Sequence, residues 1–367
     1  MRWTHLTLMM TERCNYRCVY CYQQRSERDL ADDLVRLACA RLLPLAAARC
    51  QVTFFGGEPA LVFPAIRRAV RRIEAWNRGG KRALAYGITT NGSLLGPREL
   101  AFLDAHRFRV VLSHDGVNQD RHRAAGSAAA LARLLEALND RPGIRLTVNC
   151  VVTRETVRDL PATVRLLLSL GVPRLVLAYD RQSPWSDAAV EALAAALRDV
   201  RPLLPPPDPE DDEAPGATQP SGGGERRIFR CPAGETRLAL AADGTIWGCH
   251  LFADFFRGRE HTAEFVAYRL GDVRRFDAVD WAGHDGPLAN YRQLVMNNGL
   301  TPGGFCMFCS ELFECAICPL DAALSSGRIG RIPEWYCRFE RILRGGKAPG
   351  PAAPNDRKTG AAPRPSR

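Results

Sequence analysis

The 367-residue chain is 46% hydrophobic and 25% charged, with 50 Lys and Arg against 40 Asp and Glu. That balance fits a globular protein with one large core and a smaller attachment, and no apolar run approaches the ~18 residues of a membrane helix. The N-terminus lacks the apolar stretch and small-residue cleavage site of a secretory signal, so no membrane association and a cytoplasmic location are expected.

Residues 5–180 alternate short apolar runs with helical patterns, the signature of βα units around a parallel sheet. Strands are predicted at 5–10, 51–55, 83–89, 108–113, 144–152 and 174–179. Helices are predicted near 29–47, 62–77, 97–106, 127–140, 155–170 and 186–200. The strands are nearly continuous apolar runs, as expected where both faces are covered. Six units fall short of the eight of a closed barrel. The fold class is therefore α/β, a partial (β/α)6 TIM-like barrel over residues 1–200.

Residues 201–227 are rich in Pro, Gly and acids and read as a linker. A small cysteine-rich domain follows at 228–340, with little periodicity of its own. The last segment, 341–367, carries seven Lys and Arg against the single Asp356, so +6 of the net +10 lies in this Pro-, Gly- and Ala-rich stretch. It is expected to be a disordered, solubilising tail, which argues against a nucleic-acid partner.

Thirteen cysteines in a chain with no secretory signal argue for metal or catalytic thiolates rather than disulfides. Cys39, Cys50 and Cys150 stand alone in apolar surroundings and read as packing residues. The others cluster. The first strand runs into Cys14-Asn-Tyr-Arg-Cys18-Val-Tyr-Cys21. Three thiolates on one short loop can ligate three irons of a cubane and leave the fourth open. On spacing alone, a zinc site with a distant fourth ligand is the competing reading.

The second strand ends in Phe54-Phe55-Gly56-Gly57-Glu58-Pro59, the third in Thr89-Thr90-Asn91-Gly92 and the fourth in Ser113-His114-Asp115-Gly116. A three-cysteine loop after the first strand, with GGEP at the end of the next, resembles the radical SAM superfamily. The resemblance implies a [4Fe–4S] cluster on Cys14, Cys18 and Cys21 that binds S-adenosylmethionine. It also implies cofactor contacts from Tyr20, Gly56, Gly57, Glu58, Ser113 and Arg123. The two glycines and Glu58 would suit the cofactor's ammonium group.

Seven further cysteines follow: Cys231, Cys249, Cys306, Cys309, Cys315, Cys318 and Cys337. Their pattern resembles the SPASM extension of radical SAM maturases, with its two auxiliary [4Fe–4S] clusters. By that resemblance Cys231, Cys249 and Cys318 serve the first cluster, and Cys306, Cys309, Cys315 and Cys337 the second. Three departures stand out. The last Cys pair is spaced by two residues where the family usually has three. No cysteine lies between Cys231 and Cys249, which leaves an open iron or a ligand such as Glu235 or His250. His250 also stands where sulfatase-maturing relatives carry an acidic base, and is the candidate catalytic residue beside the first auxiliary cluster.

The resemblance implies a radical SAM oxidoreductase acting on a precursor peptide or protein. The expected product is an oxidative intramolecular thioether or carbon–carbon crosslink in a ribosomally made peptide. Formylglycine formation, as in anaerobic sulfatase maturation, is the alternative. Implied partners are an electron donor such as flavodoxin or ferredoxin and a separate peptide-recognition protein.

Overall fold

A computed structural model describes residues 2–80, 82–204, 231–275, 288–291, 315 and 317–345. Six parallel strands form the scaffold: β1 (Trp3–Thr11), β2 (Ala46–Gly56), β3 (Ala83–Thr90), β4 (Arg109–Ser113), β5 (Arg145–Val152) and β6 (Leu175–Tyr179). The helices between them are α1 (Asp32–Arg41), α2 (Phe63–Trp76), α3 (Pro97–Ala105), α4 (Gln119–His122), α5 (Ser127–Asn139) and α6 (Leu160–Ser169), with α7 (Asp187–Val200) after β6. The strand order β6-β5-β4-β3-β2-β1 matches an open, partial barrel.

The helices bury one stripe each. On α2, Phe63, Ile66, Ala69, Val70 and Ile73 are buried at helical spacing, while Arg67, Arg68, Arg71 and Arg72 stay outside. Under this layer Phe54, Tyr86 and Phe108 stack at 5.4–6.5 Å, and Phe102 of α3 closes over Phe108 at 6.1 Å. Cys50 and Cys150 are buried in the core and Cys39 packs against it.

Two boundaries differ from expectation. The first helix ends at Arg41 rather than near 47, and β2 begins at Ala46 rather than 51. Pro44 cannot donate to a continuing helix, and Ala46 pairs with Trp3 of β1. Residues 201–203, predicted as linker, form a 3-10 turn. Residues 341–343, predicted as tail, close the last helix. These last two differences share a cause: the Arg201 guanidinium donates to the carbonyls of Ile342 and Leu343 at 3.1 and 2.7 Å, capping that helix end.

The cysteine-rich segment also extends the barrel sheet. β7 (Arg237–Leu240) pairs parallel with β1, and β8 (Thr245–Trp247) and β9 (Gly271–Asp272) follow antiparallel, giving nine strands in one sheet. Among the described residues, helices α8 (His250–Phe256), α9 (Ala263–Tyr268), α10 (Pro319–Ser326) and α11 (Glu334–Leu343) lie at this end. Among the described residues, no helix is long and apolar enough to cross a membrane.

Candidate active site and a second cysteine group

The cysteine loop leaves the C-terminal end of β1, where barrel folds place their chemistry. It is tied to three later strand ends. Asn91 donates to Asn15 at 2.9 Å and Asn15 to Ser93 at 2.8 Å. The Val19 amide donates to the His122 carbonyl at 2.9 Å, and Gln182 donates to the Tyr20 carbonyl at 2.6 Å. At its base Arg13 forms a 2.6 Å ion pair with Asp29. Cys14 and Cys18 are half-buried and Cys21 is exposed. Burial pushes the Cys14 and Cys18 thiols up, and neighbouring thiols add to this. The three sulfurs thus lie within one another's electrostatic reach. Among the described residues, no three Cys, His, Asp or Glu side chains close around a position for a single ion. Soft donors spread along one loop fit a cubane, whose irons would stabilise the thiolates that burial disfavours.

The GGEP segment packs directly under this loop. A Cβ on Gly56 would lie 2.2 Å from the Thr11 carbonyl, and one on Gly57 would lie 2.2 Å from that of Arg13 and 3.1 Å from Cys14 Cβ. The Gly57 amide donates to Thr11 at 2.9 Å and the Glu58 amide to Arg13 at 2.8 Å. Glu58 is fully buried, and its carboxylate accepts from the Ala60 amide at 2.9 Å, the Thr90 hydroxyl at 2.7 Å and the Asn91 amide at 2.7 Å. These contacts lock the ends of β1, β2 and β3 together and set the position of Cys14.

Asp115, passed over in the sequence, is the centre of the β4 end. It is 1% exposed and takes bonds from the Tyr20 hydroxyl, from Arg123 at 3.0 Å and from the Val151 amide at 3.0 Å, with His122 Nδ1 at 3.4 Å. Burial opposes its charge, but Arg123 and these donors hold its carboxyl down to about 2. Its place in Ser-His-Asp-Gly at a strand end was the available signal. Arg123 lies over the Tyr20 ring at 5.4 Å, and its charge favours the Cys18 thiolate. Its Nε is buried with no hydrogen-bond partner, an unused donor beside the cysteine loop that suits a ligand carboxylate. Ser113 is buried at the same strand end. Tyr20 and Arg123 are thus brought together with Cys18, with Asp115 as the residue that orients both.

The C-terminal cysteines form a separate group, and the described ones are half-buried like Cys14 and Cys18. Burial raises the Cys249 thiol to about 12 and that of Cys231 as well, and pushes Cys318 well up. Cys249 feels the charge of Cys231, and Cys318 feels both. Cys315, raised by burial to about 11, feels Cys337 instead. By the resemblance in sequence, Cys231, Cys249 and Cys318 are assigned to one set and Cys306, Cys309, Cys315 and Cys337 to the other; Cys306 and Cys309 lie outside the described residues. Tyr291 holds the first set in place. Its hydroxyl accepts from the Gly248 amide at 2.9 Å and donates to the Tyr268 carbonyl at 2.6 Å, while its ring fills the space a Cβ on Gly234 or Gly248 would need.

His250 points toward the barrel. Its ring packs on Phe55 of β2 at 4.4 Å, and burial lowers it to about 4, so it is neutral near pH 7. Phe54 packs with Phe108 beneath α3, and strand alternation puts Phe55 on the opposite, inner face. Helix α8 therefore lies against the inside of the barrel.

Residues 8–167 match the Radical SAM superfamily. The chain is 31% identical over 173 residues to Fe-coproporphyrin III synthase of Methanosarcina barkeri, covering 45% of this chain and 41% of that protein. It is 32% identical over 190 residues to the tungsten-containing aldehyde ferredoxin oxidoreductase cofactor-modifying protein of Pyrococcus furiosus, covering 47% and 50%. It thus spans about half the length of these relatives. Among solved structures, anSMEcpe with bound AdoMet superposes with a TM-score of 0.68 at 17% identity, over 93% of this chain and 96% of that one. Streptococcus suis SuiB bound to precursor peptide SuiA gives 0.62 at 16%, over 92% and 76%. anSMEcpe is also known with bound AdoMet and the Kp18Cys peptide. At these identities the likeness establishes the fold.

Proposed function

We propose that this chain, whose residues 8–167 form a radical SAM domain, is an enzyme that crosslinks a peptide oxidatively. When bound, a [4Fe–4S] cluster and S-adenosylmethionine supply a 5′-deoxyadenosyl radical able to take hydrogen from an unactivated C–H. Cys14, Cys18 and Cys21 would hold the cluster. Arg123 Nε would receive the cofactor's carboxylate, Tyr20 and Ser113 would line its other groups, and Asp115 would keep Arg123 and Tyr20 oriented. Gly56, Gly57 and Glu58 would set the height of the cysteine loop.

The observation that carries this reading is the pairing of two cysteine groups in one continuous sheet: β1, which leads into the first, is hydrogen-bonded to β7, which lies between Cys231 and Cys249 of the second. Residues 228–340 are read as a SPASM-type domain whose two [4Fe–4S] clusters take the electron that bond formation releases. A peptide substrate is favoured because anSMEcpe and SuiB, which share the fold, are each known with a bound peptide. Flavodoxin or ferredoxin would reduce the first cluster, and a separate protein would present the peptide.

The test is mass spectrometry of the peptide encoded by the short reading frame nearest the gene. After anaerobic incubation with S-adenosylmethionine and dithionite, it should be about two hydrogens lighter per crosslink. A formylglycine aldehyde, a methylated peptide or an isomer of unchanged mass would overturn the crosslinking assignment.

A further inference from the structure

Joining a substrate carbon to a second side chain releases a proton as well as an electron, so the proposed reaction needs a proton acceptor. His250, held against Phe55 and disfavoured by burial when charged, is a poor one. One helical turn further along α8 stands Asp254, on the same face by the i,i+4 relation. It is 3% exposed. Its Oδ2 accepts from Gln23 at 3.2 Å, two residues beyond Cys21. Its Oδ1 is buried and has no hydrogen-bond partner; the nearest cation, Arg257 Nη2, stands 3.7 Å away. That guanidinium lies closer to Glu12, at 3.0 Å, and donates from its other nitrogen to the Gln24 carbonyl. Helix α8 thus runs from the inner face of β2 to the loop that follows the first cysteine group. A carboxylate oxygen with no donor in such a place is costly to a protein that gains nothing from it.

We propose that Asp254 is the proton acceptor of the crosslinking step, a role that rests on the function proposed above. A C–H hydrogen atom passes to the 5′-deoxyadenosyl carbon. The resulting carbon bonds to a sulfur or carbon whose own bond to hydrogen breaks. The proton goes to Asp254 Oδ1, giving a carboxylic acid, and an oxidised iron–sulfur cluster, which the C-terminal cysteines would hold, would supply the acceptor for the electron. The groups that face Asp254 are Gln23, Tyr22, Glu12 and Arg257. Asp321 of the adjoining α10 pairs with Arg181 instead, and Arg237 of β7 acts on His250. Burial, with Glu12 nearby, raises the Asp254 carboxyl to about 7 against the opposing bond from Gln23 and charge of Arg257, well placed to take and return a proton.

The experiment uses the full-length, cluster-loaded enzyme with the peptide from the neighbouring reading frame, and measures crosslinked product per 5′-deoxyadenosine. Asp254→Asn should keep 5′-deoxyadenosine formation and lower that ratio by about 100-fold, the usual weight of a general base. For wild type the ratio should rise with pH through about 7. Infrared difference spectra of wild type should show a carboxyl C=O band that disappears over the same range and is missing from Asp254→Asn. If Asp254→Asn does not fold, Asp254→Glu replaces it, with a shifted pH midpoint expected. An unchanged ratio and midpoint in the folded variant would overturn the proposal. Wild type giving 5′-deoxyadenosine but no crosslink would overturn the function reading instead, and the infrared band would still report on Asp254.

Discussion

The two cysteine groups are held in place by different means. The first sits on a loop at the barrel mouth, with Cys21 exposed and Cys14 and Cys18 half-buried, and is positioned by backbone contacts to Gly57 and Glu58. The second is also half-buried, with Cys231 and Cys249 beside Tyr291, whose ring packs on Phe252 and Tyr268, and burial pushes up the thiols of Cys231, Cys249, Cys315 and Cys318. An open loop gives a cluster room for a ligand and a route for a reductant. The contrast teaches that a loop tied by backbone contacts and a segment braced by an aromatic ring are two ways to hold a set of cysteines.

The sharpest way to break this contrast is to remove one group at a time. Replacing Cys14, Cys18 and Cys21 with Ala should delete about four of roughly twelve irons and leave the remainder bound. Iron and sulfide analysis checks this; loss of all iron would mean that the two groups are not independent. Asp115→Ala should be the most destabilising single change at the mouth, by about 3–5 kcal/mol, because Arg123 is left buried and unpaired. Urea unfolding measures it. Gly57→Ala forces a Cβ against the Arg13 carbonyl at 2.2 Å and should cost about 1–3 kcal/mol, lowering iron in the first group only.

The smallest expected effect is a pH-dependent gain. The Asp254 carboxyl is raised to about 7, so the folded state holds a proton that the unfolded chain releases near 4. Stability is therefore present below about 4 and falls as pH rises through about 7. Asp254→Asn removes that loss. It should raise Tm at pH 8 and leave it nearly unchanged at pH 4. Scanning calorimetry at the two values checks the sign.

The six barrel strands were legible because each is an apolar run long enough to declare itself. β7, with four residues, and β8, with three, were not, since their pairing depends on the edge of β1 rather than on any pattern of their own. At the site, spacing identified the cysteines and GGEP but not what the glycines touch. That the Cβ directions of Gly56 and Gly57 are filled by the carbonyls of Thr11 and Arg13 was not readable from the motif. Asp115 and Asp254 were missed because their importance lies in burial and in which donors reach them. The same holds for His250: adjacency to Cys249 in sequence did not fix the direction of its ring, which rests on Phe55.

The division between a radical-generating mouth and an electron-accepting pocket is tested most directly by counting 5′-deoxyadenosine and crosslinked peptide in Cys249→Ala. With S-adenosylmethionine, dithionite and the neighbouring-frame peptide, this variant should still form 5′-deoxyadenosine while crosslinked product falls by at least about 10-fold, a gap of roughly 1.4 kcal/mol or more. Product formed in wild-type proportion to 5′-deoxyadenosine, or loss of both together, would contradict the division.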